Sequence, residues 1–233
     1  MAGPDPCQPR DARAAAFFDV DNTVLQGASI YHLARGLYDR GLITRRAIMR
    51  FGVQQARFRV AGTEHVGHID GAREAALAFI KGRSVPELAA IGEEVFDQVL
   101  AAKLWPGTCE LAQRHLDAGE RVWLVTATPI EMARVIAARL GLTGALGTVA
   151  ETVDGVYTGR LVGGVLHGAA KAQAVLALAE AEGLDLTRCS SYSDSANDIP
   201  LLSLTGHACA VNPDARLRAH ARAHGWPVRD YRT

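Results

Sequence analysis

The stretch AAAFFDVDNTVLQGAS, residues 14–29, ends an apolar run on two carboxylates one residue apart, Asp19 and Asp21, followed by the hydroxyl of Thr23. Like charges this close are stable when a cation sits between them or when one keeps a proton. Both arrangements suggest chemistry, and both need partners from elsewhere in the chain. RVWLVTAT offers Thr126, Ala127 and Thr128; CSSYSDSANDIP offers Asp194, Asn197 and Asp198; and Lys171 lies near the start of AAKAQAVLALAEAEG. Asp19, Asp21 and Asp194 make a hard-oxygen set. A few carboxylates, with other positions left to water and a phosphate, suit Mg²⁺ better than zinc or a full calcium cage. Such an ion attracts both carboxylates and screens a carboxylate nucleophile from the charge of a phosphate ester. Thr126, a helix N-terminus and Lys171 supply donors and positive potential for phosphoryl oxygens. Attack of a carboxylate on phosphorus gives an aspartyl-phosphate. A second carboxylate nearby protonates the leaving oxygen and later activates water.

These residues serve one reaction only if the elements carrying them converge. Ala14 to Val20 reads as a short buried strand. From about Ile30 to Leu104 the pattern is helical, with Ser84 and Glu87 as a capping box before LAAIGEEVFDQVLAAKL. After the turn WPGT the character changes. CELAQRHLDAG reads as a helix and RVWLVTAT as a strand; the next helix has Thr128 at its N-cap, Pro129 at its first position and Gly141 past its end. Asp154-Gly155 marks a hairpin within LGTVAETVDGVYTGRLV. Lys171 lies on the following helix, then come a strand ending at SYSDS and a last short strand, ACAVN. Asn212 and Pro213 open a final helix that Gly225 closes. Strands alternating with helices predict an α/β fold: a Rossmann-like parallel sheet with helices on both faces. Such sheets bind ligands outside the carboxyl ends of their strands. An all-helical cap is inserted between the first and second chemical stretches. The expected layout is a tail over residues 1–12, a core over 13–28 and 106–233, and a cap over 29–105.

The composition narrows the partners. The chain has 233 residues, 48% hydrophobic and 21% charged, with 25 Lys plus Arg against 25 Asp plus Glu. That balance provides no broad basic field for nucleic acid, and no apolar stretch has membrane-spanning length. Cys7, Cys109, Cys189 and Cys209 lack metal-binding or disulfide-framework spacing and read as reduced thiols of a cytoplasmic protein. His32, His65, His68, His115 and His167 show no metal spacing and read as surface or cap residues. Arg45, Arg46, Arg50, Arg57 and Arg59 read as a solvated helix face. DVDNT also begins like a calcium-binding loop, but Val24 stands where the turn glycine belongs and Ile30 where the bidentate glutamate belongs.

DVDNT, the VTAT strand end, Lys171 and SDSAND, in that order, resemble the four motifs of the haloacid dehalogenase-like phosphatase superfamily. The likeness covers the core on both sides of the helical block, and the phosphoserine-phosphatase-like branch matches best. The resemblance implies Asp19 as nucleophile, Asp21 as general acid/base, and Mg²⁺ held by Asp19, the backbone carbonyl of Asp21, and Asp194. It implies that Thr126, Ala127, Lys171 and Asn197 surround the phosphoryl group, with Thr23 and Asp198 supporting them. It thus implies a phosphomonoesterase of a small phosphorylated metabolite. In that branch a glutamate after the first motif contacts the substrate amine; here Ala28 holds the matching place. Arg73 is a loose candidate for reading a substrate carboxylate, and Thr-Ala-Thr-Pro replaces the usual Ser-Gly-Gly. A phosphotransferase or mutase of the same fold, and a phospho-aspartate receiver module, are the alternatives; oligomeric state is left open.

Overall fold

The structure, a computed structural model, describes residues 13–41 and 76–232. Arg73, the five cap arginines, His65, His68, Cys7 and the expected tail lie outside the described residues.

Strand β1, Ala15–Phe18, has all four residues buried. It pairs in parallel with β2, Arg121–Pro129, on one side and with β6, Ser190–Ser193, on the other. With β3 (Gly144–Thr148), β7 (His207–Val211) and β8 (Val228–Arg229) they form a six-stranded parallel sheet ordered β3-β2-β1-β6-β7-β8. The chain winds outward from β1 in both directions, so β1 lies at the topological switch point, where such sheets open a crevice at their carboxyl edge.

Alternation along β1 explains why both faces are covered. Ala15 and Phe17 pack with Val125, Val175 and Leu201, while Ala16 and Phe18 pack with Leu111, Leu124 and Ile136. On the first face lies α5, Ala169–Glu182; on the second lie α3, Pro106–Asp117, and α4, Ile130–Arg139. The helices between β1 and α3 include α1, Ser29–Asp39, a short turn at 76–80, and α2, Val85–Val95. The last helices are the single turn α6, Ile199–Leu202, and α7, Ala215–Ala223. Strands β4, Ala150–Val153, and β5, Val156–Leu161, form the expected hairpin. Asp154 and Gly155, at φ 50° and 77°, supply the positive dihedrals such a turn requires. Among the described residues, no helix is long and apolar enough to cross a membrane.

Several boundaries differ from the sequence reading. Ser84 caps α2 by accepting from the Glu87 amide, but the Glu87 carboxylate accepts from Arg83 instead of closing the box. The helix expected to run to Leu104 gives way to a π turn over Phe96–Leu100 and a 3₁₀ turn over Ala101–Lys103. The extra residue in that turn lets Val95, Phe96 and Leu100 all face the core. Thr128 is not the N-cap of α4. β2 continues through Pro129, paired with Thr148, so Pro129 takes the cap position and the Thr128 side chain turns inward. α7 starts later than expected: Asp214 is its cap, accepting from the Leu217 amide, and Asn212 is used elsewhere. The two-residue strand β8 gave no sequence signal.

Candidate active site

The register puts the chemical residues at one level. Phe18 lies opposite Leu124 and Tyr192, so Asp19, Thr126 and Asp194 follow within two residues at the carboxyl ends of three adjacent strands. The Asp19 amide donates to the Tyr192 carbonyl at 2.9 Å, extending the ladder one residue past β1. Beyond it the chain turns sharply, with both the Val24 and Leu25 amides donating to the Val20 carbonyl and Asn22 at φ 56°. That turn returns Thr23 beneath Asp19. Thr23 is fully buried, and its hydroxyl lies 3.3 Å from Asp19 Oδ2 and 3.5 Å from Asp194 Oδ1.

Lys171 enters from the first turn of α5. Its Nζ lies 2.5 Å from Asp19 Oδ1 and 2.7 Å from Asp198 Oδ2, and all three side chains are nearly inaccessible. Ser193 donates to the same Asp198 oxygen at 2.7 Å. Asp198 thus aligns the lysine, and the lysine faces Asp19. Burial opposes the Lys171 charge, but Asp19 and Asp198 outweigh it and hold the ammonium above the ordinary lysine range. Burial pushes Asp19 the other way, up to about 6, against the pull of Lys171 and with Asp198 and Asp21 adding repulsion. The lysine side settles the pair: one cation serves two buried acids, so the ammonium is secure while the carboxylates compete for it. Burial raises Asp194 well above the usual carboxylate range, and Asp19, Asp198 and Asp21 reinforce the shift.

Asp21 stands at the start of α1, its Oδ1 accepting from the Ser29 amide at 2.9 Å. Burial raises its pKa, while the side chain and amide of Ser29, Lys171 and His32 oppose the rise. Thr126 is buried on β2, its Oγ1 2.8 Å from Thr128 Oγ1 and accepting from the Thr128 amide at 3.1 Å. The Ala127 carbonyl accepts from Thr148 at 2.7 Å. Asn197 sits in the 3₁₀ turn Ala196–Asp198, where its amide donates to Ser195. Together these bring two buried and two partly buried carboxylates, a buried lysine and a hydroxyl-lined strand end to one edge of the sheet.

A family model described as haloacid dehalogenase-like hydrolase matches residues 16–203. The chain belongs to that family. Its enzymatic class is that of a phosphatase. A protein of Mycobacterium tuberculosis named phosphoserine phosphatase SerB1 is 59% identical over 99% of this chain and 75% of its own length. The solved structure of a protein of unknown function from Bordetella pertussis Tohama I superposes with TM-score 0.82 at 32% identity, covering 94% of this chain and 99% of that one. A phosphoserine phosphatase solved as a phospho-aspartyl intermediate analogue matches at TM-score 0.64 and 19% identity, over 94% of this chain and 93% of the other, a likeness of fold.

Haloacid dehalogenase-like hydrolases are generally metal-dependent. No group of three or more His, Cys, Asp or Glu side chains is arranged to hold a metal among the described residues. The Asp21 carboxylate accepts from the Ser29 amide at the start of α1, and the oxygen of Asp21 that the sequence reading assigns to the ion is its backbone carbonyl. Two carboxylates, Asp19 and Asp194, converge on the Thr23 hydroxyl, both with raised pKa values. Buried acids crowded beyond what one lysine neutralises are the signature of a site that gains from a further cation. Carboxylate oxygens suit a hard ion.

Sequence reasoning missed Ser29 and Ser193. Ser29 reads as an ordinary helix-start residue, and Ser193 as one serine among several. No spacing rule marks a hydroxyl whose partner comes from another segment. His115 was misplaced: it lies half-buried on α3, 2.6 Å from Glu120 and 2.7 Å from the Tyr192 hydroxyl, beneath the strand that carries Asp194.

Proposed function

We propose that this chain is a Mg²⁺-dependent phosphomonoesterase that hydrolyses a small phosphorylated metabolite through an aspartyl-phosphate on Asp19. The observation that carries the reading is the buried Lys171 Nζ at 2.5 Å from Asp19, joining residues 152 apart in sequence at the carboxyl end of the central strand. Asp19 attacks phosphorus, the bond to the leaving oxygen breaks, and Asp21 gives that oxygen its proton. Water then attacks the same phosphorus, loses a proton to Asp21, and releases phosphate with Asp19 restored. Lys171 and Thr126, with Ala127 and Asn197 alongside, hold phosphoryl oxygens as charge redistributes. Mg²⁺, held by Asp19, the Asp21 carbonyl and Asp194, would supply the positive charge that lets an anionic nucleophile meet an anionic ester. Residues 29–105 serve as the cap over a core of 13–28 and 106–233, and they select the substrate.

The substrate is a small phosphate monoester, and phosphoserine is one candidate through the name of the Mycobacterium tuberculosis relative. Ala28 argues against strict dependence on an amine, since a methyl group offers an ammonium no counter-charge. A cytoplasmic setting fits: Cys109, Cys189 and Cys209 are free, and burial pushes each thiol above its ordinary value. The test is phosphate release from p-nitrophenyl phosphate with Mg²⁺. Asp19→Asn is expected to lower kcat at least a thousandfold while the fold is retained; unchanged turnover in that variant would remove Asp19 as nucleophile. A screen across phosphorylated amino acids, polyols, sugars, nucleotides and lysophospholipids then ranks substrates.

A further inference from the structure

Two buried hydroxyls that the proposed chemistry does not use connect its two halves. Ser29 Oγ, fully buried at the first residue of α1, lies 2.6 Å from Thr128 Oγ1 on β2, and Thr128 Oγ1 lies 2.8 Å from Thr126 Oγ1. At the other end, the Ser29 amide binds Asp21. A continuous path of hydrogen bonds therefore runs from Asp21 through Ser29 and Thr128 to Thr126, bridging 99 residues of sequence at its central link.

We propose that Ser29 and Thr128 are positioning residues: a hydroxyl latch that holds the start of α1 against the end of β2 and aims the Thr126 hydroxyl into the crevice. This rests on the phosphatase reading above, which makes Thr126 a phosphoryl donor and Asp21 the acid/base. Proton counting gives the latch its direction. Three hydroxyls carry three protons, and the two links between them use two. The third is left on Thr126, on Ser29, or on Thr128 where both neighbours donate to it. Thr126 Oγ1 already accepts from the Thr128 amide. For its own proton to reach a phosphoryl oxygen, Thr128 must donate to Thr126 and Ser29 to Thr128, with the Ser29 proton turned away from Asp21, its other side-chain neighbour. Without the Thr128 hydroxyl, the Thr126 proton has one competing acceptor fewer but no partner to orient it, and the buried Ser29 hydroxyl loses its tie to β2 and keeps only Asp21. The start of α1, which carries the amide that fixes Asp21, then loses its tie to the strand. Misplacement on the scale of an ångström costs a reaction of this kind about a hundredfold.

The latch also accounts for the inward turn of Thr128. A threonine before proline at a strand-to-helix junction would ordinarily cap the helix; here Pro129 takes that place and the hydroxyl is spent on Ser29 and Thr126.

The experiment is a double-mutant cycle on the full chain, read with p-nitrophenyl phosphate and Mg²⁺ beside a thermal melt of each variant. Ser29→Ala and Thr128→Val are each expected to lower kcat about tenfold or more, with KM changed less than threefold. The double variant should be no slower than the worse single, because each removes the same link. Thr128→Ser, which keeps the hydroxyl, should recover most of kcat. Single effects that multiply, or folded single variants with wild-type kcat, overturn the latch. If Thr128→Val does not fold, Thr128→Ser is compared with Thr128→Cys, which fills the space with a weak hydrogen-bonding group. A tenfold gap in kcat supports the latch and equal kcat overturns it. A wild-type chain that releases no phosphate from any ester would defeat the phosphatase reading itself, a result distinct from any of these.

Discussion

Asp19 meets three other acids and one ammonium in a volume that water barely enters. The consequence is a stability that depends on pH and on a cation. With no divalent ion bound, Asp19 titrates near 6 and Asp194 well above the usual range, whereas both would titrate near 4 in the unfolded chain. Between those values the folded state holds more protons on these two acids than the unfolded one, so their contribution to stability is full below about pH 4 and falls as pH rises through 6. The expected loss is on the order of a few kcal/mol. Melts in a chelator from pH 5 to pH 8 should therefore show Tm falling with pH, and saturating Mg²⁺ should restore most of it at pH 8. Identical profiles with and without Mg²⁺ would show that the acids need no cation. At this scale the sequence was informative for charged groups, because Asp19, Asp21, Lys171, Asp194 and Asp198 sit in recognisable order. It was silent for Ser29 and Ser193, whose roles come from neighbours distant in the chain.

The elements were legible where one strong local signal governed them. β1 follows from a short apolar run that ends on a carboxylate, β2 from the apolar run RVWLVTAT, α5 from an alanine-rich stretch closed by Gly183, and the Asp154-Gly155 hairpin from its turn chemistry. The junctions were not legible, because there several local preferences compete and tertiary contacts decide. The end of β2 is the clearest case, and Gly147 on β3 helps to decide it. A Cβ at Gly147 would stand 2.8 Å from the Thr128 carbonyl and 2.9 Å from Ile130 Cα, so backbone would have to move. Gly147→Ala is expected to cost about 1–3 kcal/mol, as overpacking does. It should also lower kcat, since the displaced segment carries Thr128. Gly164→Ala is the control: a Cβ there meets nothing within 4 Å, and both Tm and kcat should stay near wild type. Equal behaviour of the two variants in paired melts and assays would show that close approach at β3 does not shape the site.

Across the whole molecule, the last strands reach back to the first motif. Asn212 follows β7 with φ 48° and is almost wholly buried. Its Nδ2 donates to the Asn22 carbonyl at 2.9 Å, its Oδ1 accepts from the Tyr231 amide at 2.7 Å, and its own amide donates to the Arg229 carbonyl. One side chain thereby ties the turn between Asp21 and Thr23 to the segment around β8, near the end of the described chain. Three substitutions separate its contributions. Asn212→Ala removes both side-chain bonds and places a Cβ-bearing residue without asparagine's local hydrogen bonding in a left-handed conformation, which adds about 1 kcal/mol to the roughly 1–3 kcal/mol of unpaired partners. Asn212→Gly removes the same bonds but accepts the backbone freely, so it should melt higher than Asn212→Ala. Asn212→Asp keeps the acceptor for Tyr231 but turns an anionic oxygen toward the Asn22 carbonyl, beside a site already crowded with acids. If the tie positions the first motif, Asn212→Asp loses kcat out of proportion to its loss of Tm, while Asn212→Gly loses both together. If kcat in all three simply tracks Tm, Asn212 only holds the sheet edge together, and the distant end of the chain has no part in placing Asp21.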